Sequence, residues 1–93
     1  SPSYEALLGY AAHEMPKTLQ DFHAWFHAED LQMARAEMQR YFRREIPSYA
    51  VTTRMRHRSG NWCWILSRAV AVWNEAGEVT RVVGTHTDIT AQK

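Results

Sequence analysis

At Pro47 the hydrophobic period of the chain changes, and that switch limits what the chain can fold into. Before it, Leu31, Ala34, Met38, Tyr41, Phe42 and Ile46 recur at helical spacing, with Gln32, Arg35, Gln39 and Arg43 on the opposite side. After it, Tyr49, Val51, Thr53 and Met55 alternate with Ala50, Thr52, Arg54 and Arg56, which is the period of a strand. A proline pushes the residue before it out of the helical region, so the long helix is predicted to run up to Pro47. Glu29 and Asp30 suit its first turn, where the helix dipole favours negative charge. Upstream, Tyr4 to Tyr10 reads as a short helix closed by Gly9. Pro16 interrupts the chain, and Thr18 caps a second short helix through Phe22 and Trp25.

Downstream, Ser59-Gly60-Asn61 and Ala76-Gly77 mark two hairpins, which divide the rest into strands from Tyr49, from Trp62 to Asn74 and from Val79 to Ile89. The fold class is α+β: short helices and one longer helix packed on an antiparallel three-stranded meander. The middle strand carries Trp62, Trp64, Leu66, Val70 and Val72 on one face and Cys63, Ile65, Ala69, Ala71 and Trp73 on the other. A sheet with one wet face alternates cleanly, and this strand does not, so both faces are expected to be covered. The helical half can cover one; the other calls for a partner chain or a neighbouring domain.

Ninety-three residues make one small domain. With 45% hydrophobic residues the chain is too apolar for a disordered segment. Its net charge is +1, although from residue 47 onward Arg54, Arg56, Arg58, Arg68, Arg81 and Lys93 stand against Glu75, Glu78 and Asp88. So mild an asymmetry does not demand a nucleic-acid or anionic-membrane partner. A single cysteine fits a reducing compartment. No apolar run reaches about 18 residues and no leader opens the chain, so the expectation is a soluble, cytoplasmic domain with no direct membrane insertion.

The order of elements and a series of short motifs resemble a PAS domain with its C-terminal PAC region. Leu7-Leu8-Gly9-Tyr10 and His27-Ala28-Glu29-Asp30 come first, followed by Tyr49 through Arg54. Gly60-Asn61-Trp62-Cys63-Trp64, Glu75-Ala76-Gly77 and Gly84 through Thr90 complete the series. The subtype is similar to those that precede histidine-kinase and diguanylate-cyclase modules in bacterial two-component and related signalling. The resemblance implies a single, N-terminally truncated domain over residues 1–93, with 91–93 opening a linker to a covalently attached output domain. Two departures stand out. Ala28 takes a place where the family often has proline, and the two strands that open the family fold are absent. Those strands would lie beside the last one, so an open edge is expected there, and with it pairing to another chain or a loosened fold.

The resemblance also implies a role: sensing and relay, with no catalysis, by a homodimer formed through the sheet face or the open strand edge. A ligand-independent docking scaffold is the rival. The resemblance puts a signal junction at Asp88 and Thr90, tied to Arg54 and Gly60 near the first hairpin. Any small ligand would lie between helices and sheet, among Trp25, Met38, Phe42, Met55 and Trp64, although a filled core accounts for the same residues.

No cofactor is evident. His23 and His27 lie four apart, but Ala24 stands where the zinc motif needs glutamate and no further ligands gather, which argues against metal and haem. Gly60-Asn61-Trp62-Cys63 looks like the flavin-binding motif of light-sensing members, but its order differs, and Cys63 reads as a small buried hydrophobe in a strand. Arg54, Arg56 and Arg58 near Trp62 and Trp64 raise a single-stranded nucleic-acid alternative, and the missing glycine-aromatic signature argues against it. No nucleophile motif, carboxylate pair or phosphate-cradling loop appears.

Overall fold

The computed structural model describes residues 4–11, 14 and 18–92, so the interruption at Pro16 and the linker residue Lys93 lie outside the described residues. The elements are α1 (Tyr4–Leu7), α2 (Leu19–His23), α3 (Ala28–Phe42), β1 (Tyr49–Arg56), β2 (Trp62–Trp73) and β3 (Val79–Asp88), ending in a 3₁₀ turn at Thr90–Gln92. The strands form one antiparallel sheet in the order β1-β2-β3. Both hairpins are built alike. His57 N–H donates to the Asn61 carbonyl at 2.7 Å and Asn74 N–H to the Glu78 carbonyl at 2.9 Å. Each closes a loop whose last residue, Gly60 or Gly77, sits at φ 98° or 81°. A left-handed residue there lets a type I turn rejoin the twisted strands, and glycine reaches it without steric cost.

Residues directly opposite on neighbouring strands share a face. The inner face carries Tyr49, Val51, Thr53 and Met55 of β1, all buried, with Ile65, Ser67 and Ala71 of β2. It is covered in two patches. Tyr41, Tyr49, Val51 and Ala71 form one, with Ala34, Met38, Phe42 and Ile46 of the α3 stripe packed against it. Leu8, Met55 and Ile65 form the other, joined by Tyr10, Phe22, Trp25, Phe26 and Cys63.

The long helix stops at Phe42, short of Pro47, because the chain closes it from within. Arg44 takes φ 60°, its N–H donates to the Tyr41 carbonyl, and the Glu45 N–H donates back to the Arg40 carbonyl, each at 2.9 Å. This double closure turns Ile46 back to the core. A left-handed arginine costs about 1–2 kcal/mol, and the Arg44 guanidinium offsets part of that by lying 4.3 Å from the Trp73 ring centre. The helix is also bolted to the sheet where β1 has run out. Ala71 N–H, past the last β1 pair at Tyr49–Ala69, donates to the Tyr41 hydroxyl at 3.0 Å, and Trp73 Nε1 donates to the Phe42 carbonyl at 2.9 Å.

The helical half covers one face, and in the single chain the outer face is open, as expected of a face left to a partner: Val70 is 66% exposed, Val72 51% and Val83 52%. The helices all lie on the inner side, and Val70 and Val72 on the outer face of β2 are exposed, whereas Trp64 and Leu66 on the same face are half-buried. Three smaller shifts concern length. The first helix ends at Leu7, and the second and third strands end at Trp73 and Asp88, one residue before their predicted ends. Thr18 does cap α2, its hydroxyl accepting from Asp21 N–H at 3.0 Å.

Candidate functional site

Asp30, at the third position of α3, faces the edge of β1. Its carboxylate accepts three hydrogen bonds from Arg54: from the backbone N–H at 2.7 Å, from Nε at 2.9 Å and from Nη2 at 2.9 Å. The arginine side-chain bonds hold the Asp30 carboxyl below the usual carboxylate range, against the opposing cost of burial. The neighbouring groups are closed by the segment before α3. His27 N–H donates to the Arg54 carbonyl at 2.9 Å and Arg56 N–H to the Trp25 carbonyl at 2.7 Å, while Phe26 bridges to Met55.

The contacts continue across the sheet. On its outer face the Arg54 guanidinium lies 5.4 Å from the ring centre of Trp64, its cross-strand partner on β2. The Trp64 backbone meets the end of β3: Ile89 N–H donates to the Trp64 carbonyl at 2.9 Å, and Trp64 N–H donates to the Thr90 hydroxyl at 3.0 Å. That hydroxyl donates onward to Asp88 Oδ1 at 2.5 Å, which also accepts the Thr90 N–H at 2.9 Å. Asp30, Arg54, Trp64, Thr90 and Asp88 thus form an unbroken series from the start of the long helix to the point where the chain leaves the sheet.

Three of the four expected junction residues lie in this series, but not as expected. Arg54 and Asp88 do not pair directly. Asp88 turns into its own Thr90, and Arg54 is taken by Asp30, which the strand edge brings closer. Gly60 stays in the first hairpin, its N–H donating to the His57 carbonyl at 2.8 Å. The sequence reading gave Asp30 a dipole role only; its place one turn into a helix that abuts an arginine-bearing strand was the available signal.

The five residues expected to line a ligand space are not brought together. Trp25 stacks on Tyr10 at 4.5 Å in the patch that holds Met55, whereas Met38 and Phe42 belong to the other patch. Trp64 lies on the far side of the sheet, because strand alternation gives it the opposite parity to its neighbour Cys63, which faces Met55. Between the patches, on the inner face of β1, stands Thr53. It is 1% exposed, and its hydroxyl has no hydrogen-bond partner among the described residues. Burial pushes the Cys63 thiol up, with a further push from Asp88, away from thiolate chemistry. His23 ends α2 while His27 precedes α3, so the pair does not share a helical face. Arg58 pairs with Glu14 at 2.6 Å.

A family model described as the PAS fold matches residues 1–86. Among solved structures, the chain is similar to a sensory box histidine kinase/response regulator from Burkholderia thailandensis, with 35% identity and a TM-score of 0.77, over 99% of this chain and 67% of that one. It is also similar to the N-terminal domain of a diguanylate cyclase with PAS/PAC sensor from Marinobacter aquaeolei, with 26% identity and a TM-score of 0.73, over 95% and 79% of the two chains. No curated protein matches the chain.

Proposed function

Because the chain belongs to the PAS fold family, we propose that it is the sensory and signal-relay domain of a larger signal-transduction protein of histidine-kinase or diguanylate-cyclase type. In this reading it is regulatory rather than catalytic, works in the cytoplasm, and hands its state to an output domain through the segment after Thr90. The observation that carries the reading is the series Asp30–Arg54–Trp64–Thr90–Asp88. A cue that changes how α3 sits on β1 acts on Arg54, and through the Trp64 ring and backbone on the hydroxyl that fixes the exit. Such coupling needs two arrangements with different affinity for the cue.

The test is an amide-shift comparison of the 93-residue chain with its Asp30→Asn and Glu37→Gln variants. Asp30→Asn should move the Ile89 and Thr90 amides, on the far side of the sheet, whereas Glu37→Gln on the exposed flank of α3 should leave them in place. Equal or absent effects at Thr90 would sink the relay.

Relay between chains adds a second element. The outer edge of β3 has no neighbouring strand among the described residues. Its sequence Val79–Asp88 holds no proline and no lysine to discourage pairing. Homodimerisation through this edge would pair the two β3 strands antiparallel about a two-fold axis, with the two exits at opposite ends of the joined strands.

One observation favours a small-molecule cue. A buried hydroxyl without a partner costs about 1–3 kcal/mol, and Thr53 keeps one between the two core patches. Native mass spectrometry decides this point. A mass released only on denaturation supports a ligand that meets Thr53, and a bare chain at all conditions goes against it.

A further inference from the structure

The inner face of β3 holds a titratable group that the relay does not use. Along Val79–Asp88 only Val79 and His86 are half-buried, and every other residue is exposed. His86 is the cross-strand partner of Ser67, which is 7% exposed, and the Ser67 hydroxyl lies 3.2 Å from His86 Nδ1. Ser67 in turn stands opposite Val51, so the parity that puts those two on the inner face puts the imidazole there as well.

Its inner-face neighbours on β1 and β2 are Val51, Ile65 and Ala69, all uncharged. The titratable residues of the surrounding elements are Cys63 on β2, Asp88 on β3, and Tyr4 and Glu5 on α1, the helix that meets β3. Asp88 stands two residues along the same face, but its carboxylate is turned to Thr90, accepting both the hydroxyl and the N–H. Burial penalises the charged ring and lowers His86 from the usual histidine value.

The strand that carries this ring is the one least held. The outer edge of β3 has no neighbouring strand among the described residues. Immediately beyond Asp88, Ile89 N–H donates to the Trp64 carbonyl at 2.9 Å, and Trp64 N–H donates to the Thr90 hydroxyl at 3.0 Å. A strand paired along one edge can turn an inner side chain to water by giving up bonds to a single neighbour, a small local opening.

We propose that His86 is a proton-operated release for the end of β3. As a neutral ring it packs across from Ser67. As a cation it leaves the inner face for water and draws the strand end from β2, so that the ties of Ile89 and Thr90 to Trp64 are lost. The cue is then the proton itself, and its effect on an output domain rests on the proposed relay. The direction follows from linkage: the released form, with its ring in water, binds the proton more tightly than the packed form. Packing is therefore at full strength above the usual histidine value of about 6.5. It weakens as pH falls through that value and is weakest below the lower folded one. This window opens above the carboxylate range in which the Asp30 contribution is lost.

The experiment is a titration of the purified 93-residue chain by magnetic resonance, from about pH 8 to about pH 5, with His86→Gln and His23→Gln variants. It reads the His86 ring and the exchange protection of the Thr87 and Ile89 amides. The ring should titrate below the usual histidine value, and protection at both amides should fall at least about threefold between pH 7 and pH 5. His86→Gln keeps a polar partner for Ser67 and cannot take up a proton, so its protection should not change with pH. His23→Gln, at the end of α2, should follow the native chain. His86→Leu, uncharged at every pH, repeats the test should the glutamine variant not fold.

A ring that takes up its proton at or above the usual value overturns the proposal. So does protection that holds while the ring titrates, or that falls equally in His86→Gln. Failure of the relay reads differently: it is an absent effect of Asp30→Asn on Thr90 at pH 7, where His86 is neutral, and it leaves the release as a property of β3 alone.

Discussion

Along β1 the outward backbone groups near the C-terminal end are taken: Arg54 N–H by Asp30, the Arg54 carbonyl by His27 N–H, and Arg56 N–H by the Trp25 carbonyl. Along the outer side of β3 no strand, helix or loop does the same among the described residues, and most of its side chains are exposed. Both strands pair with β2 along their other edges, β1 without interruption and β3 with a bulge between Val72 and Trp73. The contrast therefore lies in what flanks the sheet. The chain enters α3 beside β1, so the His27 backbone and the first helical turn fall where that edge needs partners. It leaves the sheet directly from β3, and the exit is tied back to β2 by Ile89 N–H to the Trp64 carbonyl and by Trp64 N–H to the Thr90 hydroxyl. One edge is finished by the fold; the other has no neighbouring strand among the described residues.

The sharpest way to break this comparison is to unfinish the closed edge. Asp30→Ala removes the acceptor of three Arg54 bonds and leaves a backbone donor unpaired. The expected loss is about 1–2 kcal/mol, held to that range because the pair is partly wet. In hydrogen exchange the Arg54 and Arg56 amides should lose protection first.

The same pair sets a pH dependence. The folded-state pKa of Asp30 is lowered, chiefly by its side-chain bonds to Arg54. Its contribution is therefore fully present above the unfolded carboxylate value near 3.9 and is lost as pH falls through the lower folded value. The stability gap between the native chain and Asp30→Asn should be constant from pH 6 to 7 and should close below about pH 4. A gap that persists undiminished to pH 2 would mean that packing, not the charge, closes the edge.

A smaller effect is expected at the exit. Thr90→Val removes the hydroxyl that links Trp64 N–H to Asp88, a loss of about 1 kcal/mol or less at so exposed a site. The amides after Asp88 should exchange faster while those of β1 are unchanged. Loosening that spreads to Arg54 would show that the two edges are coupled through Trp64.

How far this was legible in the sequence depends on the kind of signal. The two-residue period after Pro47 and the turn glycines yield the meander and the two faces of β2 almost residue by residue, because alternation is a local property. The stop at Phe42 was not visible. Arg44 in a left-handed conformation has no composition cue, and Pro47 offered a plausible later ending. The junction was half visible: Arg54, Asp88 and Thr90 were identified, but their pairing depended on Asp30, twenty-four residues before Arg54, and only the docking of α3 on β1 decides that competition. The ligand-space residues failed as a group for a related reason. Size and apolarity marked Trp64 as core, whereas its strand parity assigns it to the outer face.

The open edge supplies the smallest expected change in stability and the clearest change in assembly. Val82 lies on the inner side of β3, opposite Ala71, and is already 44% exposed. Val82→Lys should therefore alter stability by no more than about 0.5 kcal/mol. A charge pointing inward on an edge strand nevertheless disfavours a second strand beside it, since pairing would bury the ammonium. If two copies join through β3, this substitution should raise the dimer dissociation constant at least about tenfold in sedimentation, with Val82→Thr close to the native chain. The β1 edge needs no such guard, because Asp30 and His27 already occupy it. A dimer insensitive to Val82→Lys would move the interface off this edge, and the contrast between the two edges would then describe the fold without bearing on assembly.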